Sequence, residues 1–183
     1  MHINPTNISD LFVVDTDYQI DSRGTFARIF CDNNLKKIIK HRKILQINHS
    51  TSSLIGSIRG MHYQIPPYSE MKLVRCIKGS VWDVALDIRY GSPSFLKWHA
   101  ELLTSKNSKM MVIPEGFAHG FQVMEKDSEL IYLHTESYNK DADRGILHDD
   151  EKLSIAWPLQ VSNISEKDKS YNKINDEFKG IKI

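Results

Sequence analysis

The sequence predicts an all-β fold, an antiparallel sandwich or barrel with a few short helices. Three observations predict it. Short alternating runs follow one another from Ile44 to Thr135, separated by Gly, Pro and Ser turns. Helical spacing is confined to Leu35, Ile38 and Ile39 and to a charged stretch after Ser165. Polar side chains recur on one parity of several runs.

The length of 183 residues fits one domain spanning 1–183. A barrel core is expected at about 43–138, with a C-terminal segment, about 157–183, packing on it. Hydrophobic residues make up 40% and charged residues 26%, enough for one sizeable core. The net charge of +1 points to neither nucleic acid nor an anionic membrane, so an anion site has to be local. Cys31 and Cys76 both lie in apolar runs and read as reduced thiols. The opening MHINPTNISD has neither the basic nor the apolar region of a signal peptide. No apolar run approaches the ~20 residues of a membrane span. A cytoplasmic protein is expected.

Taken in order, Leu11 to Val14 reads as an edge strand. Asp21-Ser22-Arg23-Gly24 is turn chemistry, with Gly24 free to take positive φ. Phe26 to Cys31 alternates like a strand. Asp32-Asn33-Asn34 can cap a helix that carries Leu35, Ile38 and Ile39. Strands follow at Ile44 to Ser50, Ile58 to Gln64, Met71 to Lys78 and Val81 to Tyr90, and then at Lys97 to Leu103, Lys109 to Ile113, His119 to Met124 and Glu129 to Thr135. Trp157-Pro158 closes the β region. Ser165 can open a short helix over Glu166 to Lys169, and the polar tail after Ser170 is expected to dock loosely or fray.

The polar parity holds Gln46, Asn48, His62, Lys72, His119, Tyr132 and His134. It marks either a lumen for a polar ligand or a solvated outer face. The densest stretch is Gly56 to Gly79, with Arg59, His62, Gln64, Glu70, Lys72 and Arg75 around a Pro66-Pro67 turn. Arg59 has the wrong parity to join His62, and a bulge at Gly60 would correct that. Gly56 stands before His62, and Pro114-Glu115-Gly116-Phe117-Ala118-His119 follows later, a spacing that resembles metal-binding cupins. Here, however, Gln64 occupies the place of the second histidine, so the best quartet left is His62, Gln64, Glu70 and His119. An amide oxygen is a poor substitute for imidazole at a transition metal, and Lys72 repels a cation. No metal is expected, and His62 is left free to act as a base.

Several segments together resemble the dTDP-4-dehydrorhamnose 3,5-epimerase family. They are DSRGTF (21–26), QINHS (46–50), IRGMHYQ (58–64), KLVRCIKGSVWDVALDIR (72–89), GSPSFLKW (91–98), IPEGFAHGFQ (113–122), SELIY (128–132), RGILHDD (144–150), LSIAWPL (153–159) and SEKD (165–168). The resemblance implies a cupin-like jelly-roll barrel, without metal or cofactor, usually a homodimer. It implies a nucleotide-sugar substrate, dTDP-linked, whose C4 ketone acidifies the protons at C3 and C5. By that resemblance His62 is the base and Asp168 its acidic partner. Lys72 lies near the ketone oxygen, and Tyr132 donates a proton across the ring. Arg23, Arg59, Gln46, Asn48, His119, Tyr138 and Lys167 match substrate contacts, and Phe26 packs near the base. Two positions depart from the family. Arg28 stands where a Glu near the nucleotide is frequent, which leaves the base identity open. Asp143 stands where a Glu is usual.

The residues leave other readings open. One is an epimerase acting at C3 alone, or a ketoisomerase on a related nucleotide-linked keto sugar. The others are a non-catalytic sugar-binding cupin and a metal oxygenase.

Overall fold

Alternating apolar and polar residues give each strand one face to bury, and two sheets close those faces on each other. The computed structural model describes residues 1–183. In chain order the elements are β1 (His2–Pro5), β2 (Phe12–Asp15), β3 (Tyr18–Asp21), β4 (Gly24–Ala27) and α1 (Asp32–Ile39). Then come β5 (Gln46–Ser52), β6 (Ile58–Gln64), β7 (Lys72–Lys78), β8 (Ser80–Asp87), β9 (Trp98–Thr104) and β10 (Lys109–Ile113). The last are β11 (Phe117–Val123), β12 (Ser128–His134), β13 (Asp143–Gly145) and α2 (Glu166–Lys169).

One sheet has six strands in the order β1-β2-β10-β7-β12-β5, and the facing sheet has five, β13-β6-β11-β8-β9. From β5 to β8 the chain changes sheet at every strand, and it does so again from β9 to β12. The result is the expected cupin-like jelly roll with two short helices. Between the sheets, Val74, Cys76, Leu103, Met111, Phe117, Phe121 and Leu130 form an apolar floor. The opposite end of the interior holds the polar parity.

Two further apolar layers cover the outer faces. Leu35, Ile38 and Ile39 of α1 pack on Val14, Leu73, Met110 and Val112 of the six-stranded sheet. Each such side chain contributes about 1.5–3 kcal/mol when fully buried. On the other sheet, Val84, Leu86 and Ala118 are covered by Leu153, Trp157, Ile174 and Phe178.

Four local expectations change. β2 is not an edge, because β1 pairs with it on one side and β10 on the other. The strand expected at Phe26 to Cys31 ends at Ala27: β4 turns back on β3 as a separate hairpin closed by Gly24 at φ 128°. The α1 N-cap is Cys31, with no side-chain cap, and Asp32 lies in the first turn, where its charge favours the helix dipole. The tail does not fray. Ile174 is buried, Phe178 stacks on Phe95 at 6.1 Å, and Ile181 bridges to Arg89 beside β8.

The bulge expected at Gly60 is present. His119 pairs with His62 and Phe121 with Arg59, so β6 uses one more residue than β11 over the same span. Gly60 has φ 115°, and a Cβ there would lie 2.6 Å from both the Gly120 Cα and the His119 carbonyl. Only glycine fits. The extra residue turns Arg59 and His62 to the same cavity.

Candidate active site

A cavity of about 940 Å³ opens between the sheets above the apolar floor. That volume lies within the range of small-molecule sites. β6 and β11 place His62 and His119 side by side in register on one wall. On the facing sheet, His134 pairs with Lys72 on one side and Gln46 on the other, and Tyr132 lies opposite Asn48.

His62 Nε2 meets Asp168 Oδ1 at 2.7 Å. Asp168 is 3% exposed and comes from α2, whose N-cap Ser165 accepts the Asp168 N–H at 3.1 Å. Its second oxygen accepts the Gly60 N–H at 3.1 Å, so the bulge glycine also anchors the carboxylate. Burial acts to raise the Asp168 carboxyl. The His62 hydrogen bond and charge, with the Gly60 N–H, outweigh that and hold it below the usual carboxylate range. With Nε2–H donating to Asp168, Nδ1 of His62 is the free base. The Tyr171 ring meets the imidazole edge-on at 5.9 Å, and Gly145, with no Cβ, leaves room for it.

Lys72 is buried. Its Nζ donates to the His62 carbonyl at 3.2 Å and pairs with Glu70 at 3.2 Å. Tyr132 stands on the sheet facing His62, edge-on to His119 at 6.0 Å. Burial, then the Asp83 carboxylate, push its phenol well above the ordinary value, so it rests protonated. Buried His119 holds Asp83 at 2.7 Å.

Of the residues expected in a site, the cavity brings together His62, Lys72, Tyr132 and Asp168 with Asn48, Arg59, His119 and Lys167. Arg59 donates to Ser52 Oγ at 3.1 Å, at the cavity edge. Gln46, Tyr138 and Asp143 lie just outside it. Gln46 accepts the Tyr138 N–H, and the Tyr138 hydroxyl donates to Asp143 at 3.1 Å. Asp143 also pairs with Lys167, a hydrogen bond that pushes the ammonium up. Arg23 and Phe26 do not reach this cavity. They line a separate hollow on the β3–β4 hairpin, where Arg23 pairs with Asp21 at 2.5 Å. Arg28 is exposed just beyond β4 and lines neither hollow.

Sequence reasoning missed the roles of three members of the cavity environment: Asp83, Glu70 and Tyr171. Asp83 is visible in the sequence only as a charge in an apolar strand. Glu70 is visible only as part of a candidate metal quartet with His62, Gln64 and His119. The structure gives these groups other partners. The Gln64 amide donates to the Tyr68 and Ser137 carbonyls and accepts the Asn139 N–H at 2.6 Å. Glu70 holds His134 at 2.7 Å. No three His, Cys, Asp or Glu side chains are grouped to hold a metal ion.

The cavity therefore sets cations from two sheets and a helix around an imidazole base and a protonated phenol. Comparison with known proteins points the same way. The family profile described as dTDP-4-dehydrorhamnose 3,5-epimerase matches residues 5–176. A dTDP-4-dehydrorhamnose 3,5-epimerase of Shigella flexneri is 40% identical over 177 residues, covering 96% of this chain and 97% of its own. A crystal structure of dTDP-6-deoxy-D-glucose-3,5-epimerase from Legionella pneumophila, in complex with dTDP-4-keto-L-rhamnose, superposes with a TM-score of 0.91. It is 34% identical and covers 98% of this chain and 97% of its own. A Bacillus anthracis dTDP-4-dehydrorhamnose 3,5-epimerase with TDP and pyrophosphate bound also gives 0.91, at 31% identity over 94% of this chain and 99% of its own. A match that runs nearly the length of the chain, over a cavity of this chemistry, leads to one conclusion: the chain belongs to the dTDP-4-dehydrorhamnose 3,5-epimerase family.

Proposed function

We propose that the chain is an epimerase that inverts C3 and C5 of dTDP-4-dehydro-6-deoxyglucose, giving dTDP-4-dehydrorhamnose. One observation carries the reading. An imidazole backed by a carboxylate and a protonated phenol come from the two opposed sheets of one cavity, with an ammonium beside them. Inversion needs a base on one face of the sugar ring and an acid on the other. His62 Nδ1 removes the proton next to the C4 ketone, and Asp168 supports the imidazolium that forms. The Lys72 ammonium stabilises the enolate oxygen. Tyr132 then delivers a proton to the opposite face. The same steps serve C3 and C5 in turn. No step calls on a metal or cofactor.

Arg59, Lys167 and His119 supply positive charge for the diphosphate and polar contact for the sugar, with Gln46, Asn48, Tyr138 and Asp143 at the rim. Residues 1–183 act as one epimerase domain. A nucleotide-activated sugar as substrate and two free thiols fit a cytoplasmic enzyme.

The active form we propose is a homodimer. The β3–β4 hairpin leaves Ile20 78% and Phe26 68% exposed, and its Arg23 is turned away from its own cavity. A second copy covers that apolar surface and receives Arg23, Phe26 and Arg28 beside its nucleotide. The test of the reaction is direct. Purified protein is incubated with dTDP-4-dehydro-6-deoxyglucose and the sugar configuration is read by NMR. The L-configured 4-keto sugar is expected; recovery of the substrate unchanged, or inverted at C3 alone, overturns the reading.

A further inference from the structure

A single hydrogen-bonded chain runs from the cavity rim to Lys72, and its direction can be worked out from one end. The Tyr138 backbone N–H donates to Gln46 Oε1 at 3.0 Å. A backbone N–H can only donate, so Gln46 must present its oxygen there. Its amide nitrogen then donates to Asn48 Oδ1 at 3.1 Å. That turns the Asn48 nitrogen to His134 Nε2 at 3.3 Å. Nε2 must accept, so His134 is the neutral tautomer with its proton on Nδ1. Nδ1 donates to Glu70 Oε2 at 2.7 Å, and Glu70 Oε1 faces Lys72 Nζ at 3.2 Å. The strand register sets the spacing: Gln46, His134 and Lys72 lie in one row across β5, β12 and β7.

We propose that Glu70 is a positioning residue for Lys72, and that Gln46, Asn48 and His134 act through it to hold that ammonium in place for the reaction. This rests on the role given to Lys72 above. The carboxylates beside the cavity divide cleanly. Asp168 is committed to His62 and Asp83 to His119, which leaves Glu70 as the carboxylate for Lys72. Besides Asp168, the other ionisable groups lining the cavity with Lys72 are Arg59 and His62 of β6, His119 of β11, Tyr132 and His134 of β12 and Lys167 of α2, while His49 of β5 is turned out to Glu129. None of these offers Lys72 a carboxylate. Glu70 has the right charge state for this role. Burial acts to raise its carboxyl, but the Lys72 charge and the His134 hydrogen bond outweigh that and keep it ionised. Two ammonium donors go to Glu70 and the His62 carbonyl, and the third is left for the cavity. The His134 ring also stacks on Tyr132 at 6.0 Å, so the same chain seats the phenol.

Glu70→Gln separates this role from simple packing. A glutamine oxygen can still accept from His134, but its NH₂ then meets the Lys72 ammonium, donor against donor. The variant should lose roughly 10-fold or more in kcat at neutral pH with KM little changed. Glu70→Asp keeps the charge and should recover part of the lost kcat. A second readout needs no activity: imidazole ¹⁵N NMR of the full-length wild type, with the His134 signal assigned through His134→Gln. It should show the proton on Nδ1 and a bare Nε2. A Glu70→Gln enzyme with wild-type kcat overturns the proposal, as does a His134 protonated on Nε2. Failure of the wild type to turn over the keto sugar overturns the functional reading instead and leaves the tautomer result standing on its own.

Discussion

At the scale of residues, the site is three carboxylates, two buried and Glu70 nearly so, each holding a cationic or basic partner. His62→Asn removes the base and leaves the strand register intact. Exchange of the C3 and C5 protons should fall by at least ~10²-fold with little change in melting temperature. Wild-type exchange in that variant would make His62 structural. Tyr132→Phe should divide the reaction. Proton removal persists, because His62 and Lys72 are untouched, while inversion falls by ~10²–10⁴-fold. The sugar then takes up solvent deuterium but returns mostly unepimerised; equal loss of both events would remove the separate donor role. Chelators should leave the rate unchanged, since the Gln64 amide is spent on backbone groups. Activity lost to chelation and restored by a divalent ion would contradict that.

Part of this site was legible in the sequence. His62, Lys72 and Tyr132 stand on one polar parity, which periodicity assigns to one face of the strands, either a lumen or a solvated exterior. Asp168 could not be joined to them by pattern, since it lies 106 positions from His62 and is carried by a four-residue helix. Only the resemblance named it. The roles of Glu70 and Asp83 were illegible for another reason. His134, which Glu70 holds, and His119, which Asp83 holds, lie on other strands, and a single sequence does not print which residues the register makes neighbours.

At the scale of elements, the Gly60 bulge and α2 decide the geometry. Gly60→Ala puts a Cβ against two backbone groups at a φ that side chains avoid. It should destabilise the fold by roughly 1–3 kcal/mol and turn Arg59 or His62 out of the cavity. Thermal melting and kcat/KM report the two effects; a variant unchanged in both would mean that the bulge is dispensable. α2 docks through Asp168, whose folded-state carboxyl lies below its unfolded value. Its stabilising contribution is therefore complete above the unfolded value, near pH ~3.9, and is lost as pH falls through the folded one. Asp168→Asn should flatten that acid limb of the stability profile, and an unaltered limb would mean that the pair does not stabilise the fold. Long alternating strands were legible because a period of two repeats several times in each. β13, with three residues, contains too few repeats to read, and β1 is hardly longer.

At the scale of the whole molecule, the hairpin and the C-terminal tail make opposite contributions. The tail, although polar in sequence, joins Leu153 in closing the outer face of one sheet, through Ile174 and Phe178. The sparse apolar residues that do this are spread too far apart for a pattern. The hairpin stays uncovered within one chain. If it serves a second copy, inactive His62→Asn and Arg23→Ala chains should regain activity when mixed, because one site in each mixed dimer holds both native residues. No recovery in dimers shown to exchange subunits would confine each hairpin to its own chain.

Proton removal at two carbons by one imidazole is the step on which the proposed reaction depends. Wild-type protein is incubated with dTDP-4-dehydro-6-deoxyglucose in deuterium oxide, and the label at C3 and C5 is read separately by NMR, with His62→Asn alongside. Deuterium at both carbons, almost absent in the variant, is the predicted result. Label at C3 alone, no label at all, or label undiminished in His62→Asn would contradict it.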